Sequence, residues 1–323
     1  LVNAINAALG SYGTIIDLDN VSNKYAGNDA EFIDFINEMK RGEVDAVLFM
    51  NANPAYDYYN KKELTDALAK VRLKVALSDQ HDETAKLCNA VAANHHYLES
   101  WGDGQVISGY YTVVQPTINP VYDTRQAEQS LLIWSDNPVK DYYTFVRNNW
   151  DTTVFAKAGA TGQKAWENLL QTGFIKFDNA AAGTYSFARD LNAVAQTIAN
   201  ESAKLAAKGE QIELSLYVNS SVGDGKRANN PWLQEVPDPV SKVTWDNFAA
   251  VAPKFAKDVL KAEEGDVVEI SIDGYSIKVP LLFQPGQAQG TVSVALGYGR
   301  TESGKVGDNV GQNAYPFSVL RNG

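Results

Sequence analysis

A strand–helix–strand pattern in the first quarter of the chain constrains the fold more than any other feature. An almost continuous apolar run at 44–50 ends at the polar sequence Asn-Ala-Asn-Pro at 51–54. A second, alternating run at 73–77 ends at Ser-Asp at 78–79, and apolar residues at helical spacing lie between the runs, within 61–70. The pattern predicts parallel strands with polar carboxyl ends, where open parallel sheets bind ligands. Because the first run does not alternate, we expect burial on both of its faces.

Further helices and strands are predicted on both sides of this unit. Asn28 and Glu31 have the spacing of a capping box, which predicts the start of a helix before the first strand. A short helix at about 82–89 is expected to complete the core, and 104–123 to form loops with a short strand. The pattern over 124–210 is helical, and we expect these helices to cover the sheet.

Beyond residue 210 the hydrophobic period changes from helical to alternating. A strand is predicted at 212–218, and the Asp-Gly pair at 273–274 predicts a two-residue hairpin turn between two strands. A helix is expected at about 245–260. Glycines are dense over 286–311, which is typical of tight turns and close backbone crossings. Together these patterns predict a small β-barrel over 211–323.

Length and composition indicate an ordinary globular chain. Its 323 residues are enough for two domains, and we expect an α/β domain over 1–210 before the barrel. The net charge of −11 disfavours binding to nucleic acid and to anionic lipid. No apolar run approaches the ~20 residues of a membrane helix, so no direct membrane span is predicted. The sequence opens on Leu1 within an apparent amphipathic helix, and we expect it to be a piece of a longer polypeptide.

Few side chains have the spacing that catalysis or metal binding requires. Cys88 lies near His95, but nothing in the sequence orients that histidine, so a buried, inert thiol is the better interpretation. The three histidines lack the i, i+4 spacing of helical zinc ligands. Gly297, Gly299 and Gly304 fit neither phosphate-loop spacing, and barrel turns account for them better.

Aromatic residues are more numerous than one sheet core needs. Aromatic side chains are enriched at the cores of protein interfaces. We therefore expect part of the set to face other proteins in a larger assembly. The set is Tyr56, Tyr58, Tyr59, Trp101, Tyr110, Tyr111, Trp134, Tyr142, Tyr143, Trp150 and Trp232.

Several longer phrases resemble the molybdopterin oxidoreductase family. The resemblance is carried by NANP, SDQHDETA, LESWGD, QPTINPVYDTR and GYGRTESGKVG. These phrases most specifically resemble the molybdopterin-like half of the large iron–sulfur B subunit of alternative complex III, a bacterial quinol-oxidising respiratory complex. The resemblance implies a Rossmann-like parallel-sheet core followed by a β-barrel domain of the molybdopterin-dinucleotide-binding type.

The resemblance also implies where active relatives hold their dinucleotide cofactor. The matching residues are Asn53, Pro54, Ser78, Asp79, Glu83, Thr84 and Asn313. Active relatives also carry cysteines for an iron–sulfur cluster and a metal-ligating residue upstream of this core. Iron–sulfur clusters are held by several thiolates, and this chain has one cysteine. We therefore interpret the crevice as vestigial and expect no catalytic residue, pterin or metal in this chain.

A non-catalytic scaffold is the function that the resemblance implies. The chain would belong to a membrane-attached respiratory complex on the periplasmic side of the bacterial inner membrane, which passes electrons from quinol to cytochrome c or an oxidase. The expected partners are a ferredoxin-like half of the same polypeptide with iron–sulfur clusters, a multihaem cytochrome c with haem c, and quinol-binding membrane subunits. Two alternatives stay open. One is the dinucleotide-binding fragment of an active polysulfide- or thiosulfate-type molybdopterin reductase, and the other is a free small-molecule-binding module.

Overall fold

The computed structural model describes residues 1–24, 27–178, 188–206 and 212–318, and shows a mixed α/β protein. The helices are α1 Val2–Ala8, α2 Asp29–Arg41, α3 Pro54–Asp57, α4 Lys61–Leu68, α5 Ala127–Trp134, α6 Tyr142–Thr152, α7 Val154–Ala158, α8 Gly162–Thr172, α9 Leu191–Ala206, α10 Pro231–Glu235 and α11 Pro253–Phe255. The strands are β1 Ala46–Met50, β2 Leu73–Ser78, β3 Ala90–Ala93, β4 Gly102–Ile107, β5 Tyr110–Val114, β6 Phe174–Lys176, β7 Glu213–Val218, β8 Ala249–Val251, β9 Val267–Ile272, β10 Tyr275–Phe283 and β11 Thr291–Leu296. None of the described helices has the length and apolarity that a membrane span needs.

The chain forms two compact units. One contains Leu1–Gly27 and Ala93–Glu210, and the other contains Asn28–Ala92 and Gln211–Gly323. The strand–helix–strand region thus packs with the C-terminal third of the chain. The division into domains at residue 210 stays a prediction, because units of packing and domains need not share their limits.

The three-stranded sheet β1-β2-β3 confirms the predicted strand–helix–strand unit. β1 and β2 are parallel, with Leu48 opposite Val75. Helices α2 and α4 pack against one face of β1 through a buried apolar cluster. The members of this cluster are Ile36, Met39, Val47, Phe49, Leu64, Ala67, Leu68 and Val71.

The exposure of β1 corrects the expectation that both of its faces are buried. Val47 and Phe49 are buried, whereas Leu48 is 47% and Met50 43% exposed. Helices of this unit cover only one side of the strand. A continuous apolar run is typical of a strand that is buried on both faces. Among the described residues, helices pack on only one face of β1, although its sequence is apolar on both.

The ends of the neighbouring helices follow local sequence signals with one correction. Asn28 caps α2 by accepting a hydrogen bond from the N–H of Ala30 at 3.0 Å, and its side-chain amide donates to Glu31 at 3.3 Å. The helix predicted at about 82–89 is a single 3₁₀ turn over Ala85–Leu87. The carboxylate of Asp82 accepts the N–H of Ala85 at 2.8 Å and so tightens this turn.

A five-stranded sheet occupies the region predicted as a barrel. Its order is β7-β11-β8-β10-β9, with β11 parallel to β7 and β10 parallel to β8. The closure of these strands into a barrel stays a prediction. The helix expected at about 245–260 is partly wrong, because Ala249–Val251 forms strand β8, fully buried in the sheet. Helical structure begins at Pro253 and continues as a π-helical turn over Ala256–Leu260.

The hairpin between β9 and β10 confirms the turn predicted at Asp273-Gly274. Asp273 has φ 51° and Gly274 φ 86°, as a type I′ turn requires, and the strands pair antiparallel with Ile272 opposite Tyr275. A Cβ added to Gly274 would meet no atom within 4 Å. Gly274→Val should therefore lower the free energy of unfolding by about 1–3 kcal/mol through backbone strain alone. Urea unfolding measures this, and an unchanged midpoint would contradict the turn assignment.

The other unit is built around aromatic side chains. Val146, Trp150, Val154, Phe155, Trp166 and Leu169 form its buried cluster. The segment 104–123 contains more strand than expected, since β4 and β5 form an antiparallel hairpin to which β6 adds. Within 124–210 the structure shows α5 to α9 and β6, and the positions 179–187 and 207–210 lie outside the described residues.

The aromatic set serves packing more than the sequence indicated. Trp134 and Trp232 are 48% and 78% exposed, whereas Tyr56 and Trp150 are buried and the others are partly buried. The indole N–H of Trp150 donates to Asp103 at 2.9 Å. The expectation that this set marks an interface is therefore limited to two exposed tryptophans.

Candidate functional site

A polar cleft lies at the carboxyl ends of β1 and β2, where the sequence predicted it. Of the residues matched to the family crevice, Asn53, Ser78 and Asp79 line this cleft. The space inside is about 70 Å³. The other lining residues are Asn51, Ala52, Tyr56, Asp57, Gln80, Asp82, Asp224, Lys226 and Arg300.

A buried ion pair between Glu83 and Arg300 forms the floor of this region. The two residues are 5% and 2% exposed. The Arg300 guanidinium donates from Nε to Glu83 Oε1 at 2.9 Å and from Nη2 to Glu83 Oε2 at 2.7 Å. The backbone N–H groups of Thr301 and Glu302 donate to Glu83 Oε1 at 2.8 and 3.2 Å. The carboxylate is thus satisfied by a bidentate arginine and by two amides of the strand-following loop.

Asn53 joins this ion pair to the end of β1. Its amide nitrogen donates to Glu83 Oε2 at 2.8 Å, and its Oδ1 accepts the hydroxyl of Thr84 at 2.8 Å. The Thr84 hydroxyl in turn accepts the N–H of Ala55 at 3.0 Å. Pro54 is buried at the first position of α3. Three of the matched residues, Asn53, Glu83 and Thr84, therefore make hydrogen bonds to other parts of this chain, and Pro54 is buried.

Arg300 has further partners that keep its charge inside the protein. Its Nη1 donates to the carbonyl of Gly225 at 2.6 Å, and its guanidinium lies 4.8 Å from the centre of the Tyr56 ring. The Tyr56 hydroxyl donates to the carbonyl of Tyr298 at 2.7 Å. These contacts engage the planar guanidinium along its edge and on one face.

Asn313 does not line the cleft. Its amide nitrogen donates to the carbonyl of Tyr56 at 3.0 Å, and its Oδ1 accepts the N–H of Tyr315 at 2.9 Å. The residue thus links the loop after β11 to α3. This placement gives Asn313 a structural contact with the backbone beside the cleft.

The electrostatics of the cleft are acidic. Local desolvation and the nearby Asp224 raise the pKa of Asp57 to about 7, although the residue as a whole is exposed to solvent. Burial also raises the pKa of Asp82. For Glu83, burial alone would raise the pKa, but the hydrogen bonds from Arg300 and Asn53 outweigh burial and hold the pKa at about 2.

The Asp57 carboxyl should make the stability of the fold decrease as pH rises from 3.8 to about 7. Its pKa is raised from 3.8 to about 7 in the folded chain, so the folded state binds the extra proton between those values. Asp57→Asn should raise the urea midpoint at pH 8 and leave it unchanged at pH 4. Because Asp57 keeps contact with solvent, the gain should stay below about 1 kcal/mol. Asp66→Asn on α4 is the control, and an equal gain at both pH values for Asp57→Asn would contradict this account.

The remaining sulfur and imidazole groups have structural contacts. The Cys88 thiol donates to the carbonyl of Thr84 at 3.3 Å, and burial raises its pKa to about 11, which keeps it protonated. His95 Nε2 lies 3.1 Å from the carbonyl of Thr124. Among the residues that the structure describes, no three His, Cys, Asp or Glu side chains converge in a way that could hold a metal ion.

The sequence did not single out Arg300, Asp57 or Asp224 as site residues. Arg300 stands in the phrase GYGRTESGKVG, which served only as a mark of resemblance. The same stretch also contains Glu302 and Lys305, so its sequence does not distinguish Arg300 from the other charged residues. Its partner Glu83 is 217 positions away, so no local spacing connects them.

Comparison with known proteins first defines the fold. The structure is similar to acetylene hydratase from Pelobacter acetylenicus, with a TM-score of 0.61 and 17% identity, over 87% of this chain and 42% of that one. At this identity the likeness shows the fold alone, a mixed α/β fold shared over most of this chain. No protein-family model matches the sequence.

One known protein is also similar to this chain in sequence. The chain is 24% identical over 275 residues to the menaquinone reductase, molybdopterin-binding-like subunit of Nitratidesulfovibrio vulgaris. The match covers 83% of this chain and 38% of the relative, so the chain spans about two fifths of the length of that protein. The chain is thus similar, over most of its length, to part of a molybdopterin-binding-like subunit.

The cleft does not fit the dinucleotide cofactor of active molybdopterin enzymes. A dinucleotide carries a negatively charged diphosphate, yet Asp57, Asp79, Asp82 and Asp224 line the cleft, and an aspartate supplies no positive charge whether it is ionised or protonated. Of the two lining cations, Arg300 is already paired with Glu83, which leaves Lys226 to face the added charge.

Proposed function

We propose that this chain is a cofactor-free, non-catalytic scaffold module of a quinone-linked respiratory complex. Similarity to a subunit named molybdopterin-binding-like, in a menaquinone reductase, supports the respiratory role. The observation that supports the scaffold role is the ion pair between Glu83 and Arg300. A bound diphosphate would need free cations in the cleft, and the charge of Arg300 is already neutralised by Glu83. The polar groups of Asn53 and Thr84 are likewise used in hydrogen bonds within the chain.

The finer assignment follows the resemblance of the sequence. The module would be the molybdopterin-like half of the large iron–sulfur subunit of alternative complex III, with its five-stranded sheet closed into a β-barrel. Electrons would pass from quinol to cytochrome c or an oxidase through iron–sulfur clusters elsewhere in the polypeptide and haem c in a partner subunit. Quinol-binding membrane subunits would hold the assembly at the periplasmic side of the inner membrane.

An enzymatic role is the second candidate. Asn53, Ser78 and Asp79 do meet at one strand-end cleft, as in a ligand-binding α/β sheet. This arrangement would suit the dinucleotide-binding part of an active molybdopterin reductase of the polysulfide or thiosulfate type. The acidic lining and the paired arginine count against it.

Substitutions in the cleft separate the two candidates. In the assembled complex, Ser78→Ala and Asp79→Ala should leave quinol oxidation close to that of the unaltered protein, because a vestigial cleft does no chemistry. Asn53→Ala is less suitable, since its amide holds the buried ion pair. A loss of more than about tenfold in rate, which is about 1.4 kcal/mol, with assembly unchanged, would overturn the scaffold role.

Cofactor content gives an independent test. The purified chain should hold molybdenum, iron and zinc at far below one atom per molecule. Acid release should yield no pterin fluorescence. A stoichiometric pterin signal would restore the enzymatic candidate regardless of the rates.

A further inference from the structure

One face of β1, with the adjoining start of β2, exposes apolar side chains, whereas Leu77 at the end of β2 is covered on the same face. Leu48 and Met50 are 47% and 43% exposed, and Leu73 on β2 is 43% exposed. In the parallel register Leu48 lies opposite Val75, so these side chains share one face of the sheet. Parallel sheets are normally covered on both faces, so exposed apolar side chains on one face of such a sheet are unusual.

The outer edge of β1 offers unused backbone groups. The carbonyl of Asp45 accepts the N–H of Leu73 at 3.1 Å, and the N–H of Asn51 donates to Leu77 at 3.2 Å. Backbone groups of a strand alternate in direction, so those of Ala46, Leu48 and Met50 point away from β2. Within the described ranges no strand pairs with this edge, where β1 is the outermost strand. Such an edge is a template for another strand.

A groove runs beside this edge. Its space is about 740 Å³, and Phe32 and Phe35 of α2 and Pro54 of α3 contribute to its walls. Its lining includes the carboxyl groups of Asp29 and Asp57, and no lysine or arginine is among the lining residues. The groove therefore combines an apolar floor, aromatic walls and two acidic side chains beside an open row of backbone donors and acceptors.

We propose that this groove binds an extended segment of a partner protein, with alternating apolar residues and flanking lysine or arginine, which adds to β1 as a further strand. The inference rests on the proposed scaffold role and names the chemistry of one partner contact. A strand satisfies the backbone groups of Ala46, Leu48 and Met50 as well as covering apolar surface. A helix would cover the surface but leave those groups unpaired. A second copy would bring Asp29 and Asp57 against the same acidic residues, at a net charge of −11 per chain.

A labelled peptide probes the groove directly. The peptide Lys-Val-Thr-Val-Thr-Val-Lys should bind the purified chain in fluorescence anisotropy at least tenfold more tightly than the same peptide with a central proline, which cannot add to a strand. Hydrogen exchange at the amides of Leu48 and Met50 should slow on binding. Equal affinity for both peptides would overturn the proposal.

Variants distinguish a built groove from simple charge attraction. Leu48→Asp should weaken the peptide at least tenfold although it adds negative charge, and Met50→Asp should do the same. Val240→Lys, at a loop residue that is 71% exposed, is the control and should leave affinity unchanged. Tighter binding to Leu48→Asp would mean charge attraction only, and would overturn the proposal. Far-ultraviolet circular dichroism confirms that each variant is folded.

The native assembly gives the second test. Exchange over 46–50 should be slower in the assembled complex than in the isolated chain, and unchanged exchange would overturn the proposal. A concentration-dependent dimer of the isolated chain, lost in Leu48→Asp, would assign the edge to a second copy and overturn the partner assignment. Protection at 46–50 in an assembly without quinol oxidation would instead refute the proposed function and leave the docking surface intact.

Discussion

Glu83→Ala should lower the free energy of unfolding by about 3–5 kcal/mol, because it leaves the Arg300 charge buried without a counter-charge. Arg300 is 2% exposed, and two nitrogens of its guanidinium, Nε and Nη2, donate hydrogen bonds to Glu83. The same change removes the acceptor for Asn53 and for two backbone N–H groups. Unsatisfied buried donors add to the loss. Urea unfolding followed by fluorescence measures the effect.

Matched variants test whether the pair acts as a unit. Arg300→Ala alone should cost a similar amount, and the double variant should cost little more than either single one, since the second change removes an already unpaired group. Lys86→Ala breaks the ion pair of Lys86 with Glu302 in the same loop, where Lys86 is half exposed. That control should lose less than about 1 kcal/mol. Additive losses in the double variant would show that the two side chains stabilise the fold independently.

The pH dependence of stability carries the same signature. The folded-state pKa of Glu83 is about 2, below its ordinary value of 4.5. A lowered pKa contributes stability that is fully present above about pH 4.5 and is lost as pH falls towards 2. Glu83→Ala should therefore flatten the acid limb of the stability profile. An unchanged acid limb would place the acid sensitivity in other carboxylates.

The parts of the fold that were predicted correctly depend on neighbours in sequence. The Asn28 cap, the strands at 46–50 and 73–78, and the turn at Asp273-Gly274 are all specified by residues within a few positions of each other. Such elements follow from capping chemistry, hydrophobic period and the need for positive φ. The polar ends of two parallel strands likewise predicted the place of the cleft, since those ends meet at one sheet edge.

The incorrect predictions concern contacts that sequence spacing does not encode. The apolar residues of β1 look alike on both faces, so the sequence cannot tell that Leu48 and Met50 are exposed in this chain. The small residues of Ala249–Val251 fit a helix as well as a strand, and the tightly packed sheet selects the strand. Glu83 and Arg300 lie in two loops that are far apart in the sequence. That the charge of Arg300 is neutralised within the protein is therefore seen only in the three-dimensional structure.

Gly299→Ala should be the most damaging of the glycine substitutions in the C-terminal loops, with a loss of about 3–5 kcal/mol. Gly299 has φ +70°, and an added Cβ would lie 2.0 Å from the backbone nitrogen of Asn313 and 2.4 Å from the carbonyl carbon of Gln312. Both contacts are to backbone, which cannot rotate aside as a side chain could. The two chain segments would have to separate beside Arg300.

Gly286→Ala is the matched control, because it changes the backbone requirement without the close approach. Gly286 has φ +90°, and an added Cβ would meet nothing within 4 Å. Its loss should be limited to the left-handed strain, about 1–2 kcal/mol. The difference between the two urea midpoints then reports the crossing of the Gly299 and Asn313 backbones. Equal losses would mean that this crossing relaxes freely, and that the dense glycines at 286–311 serve turns rather than close packing.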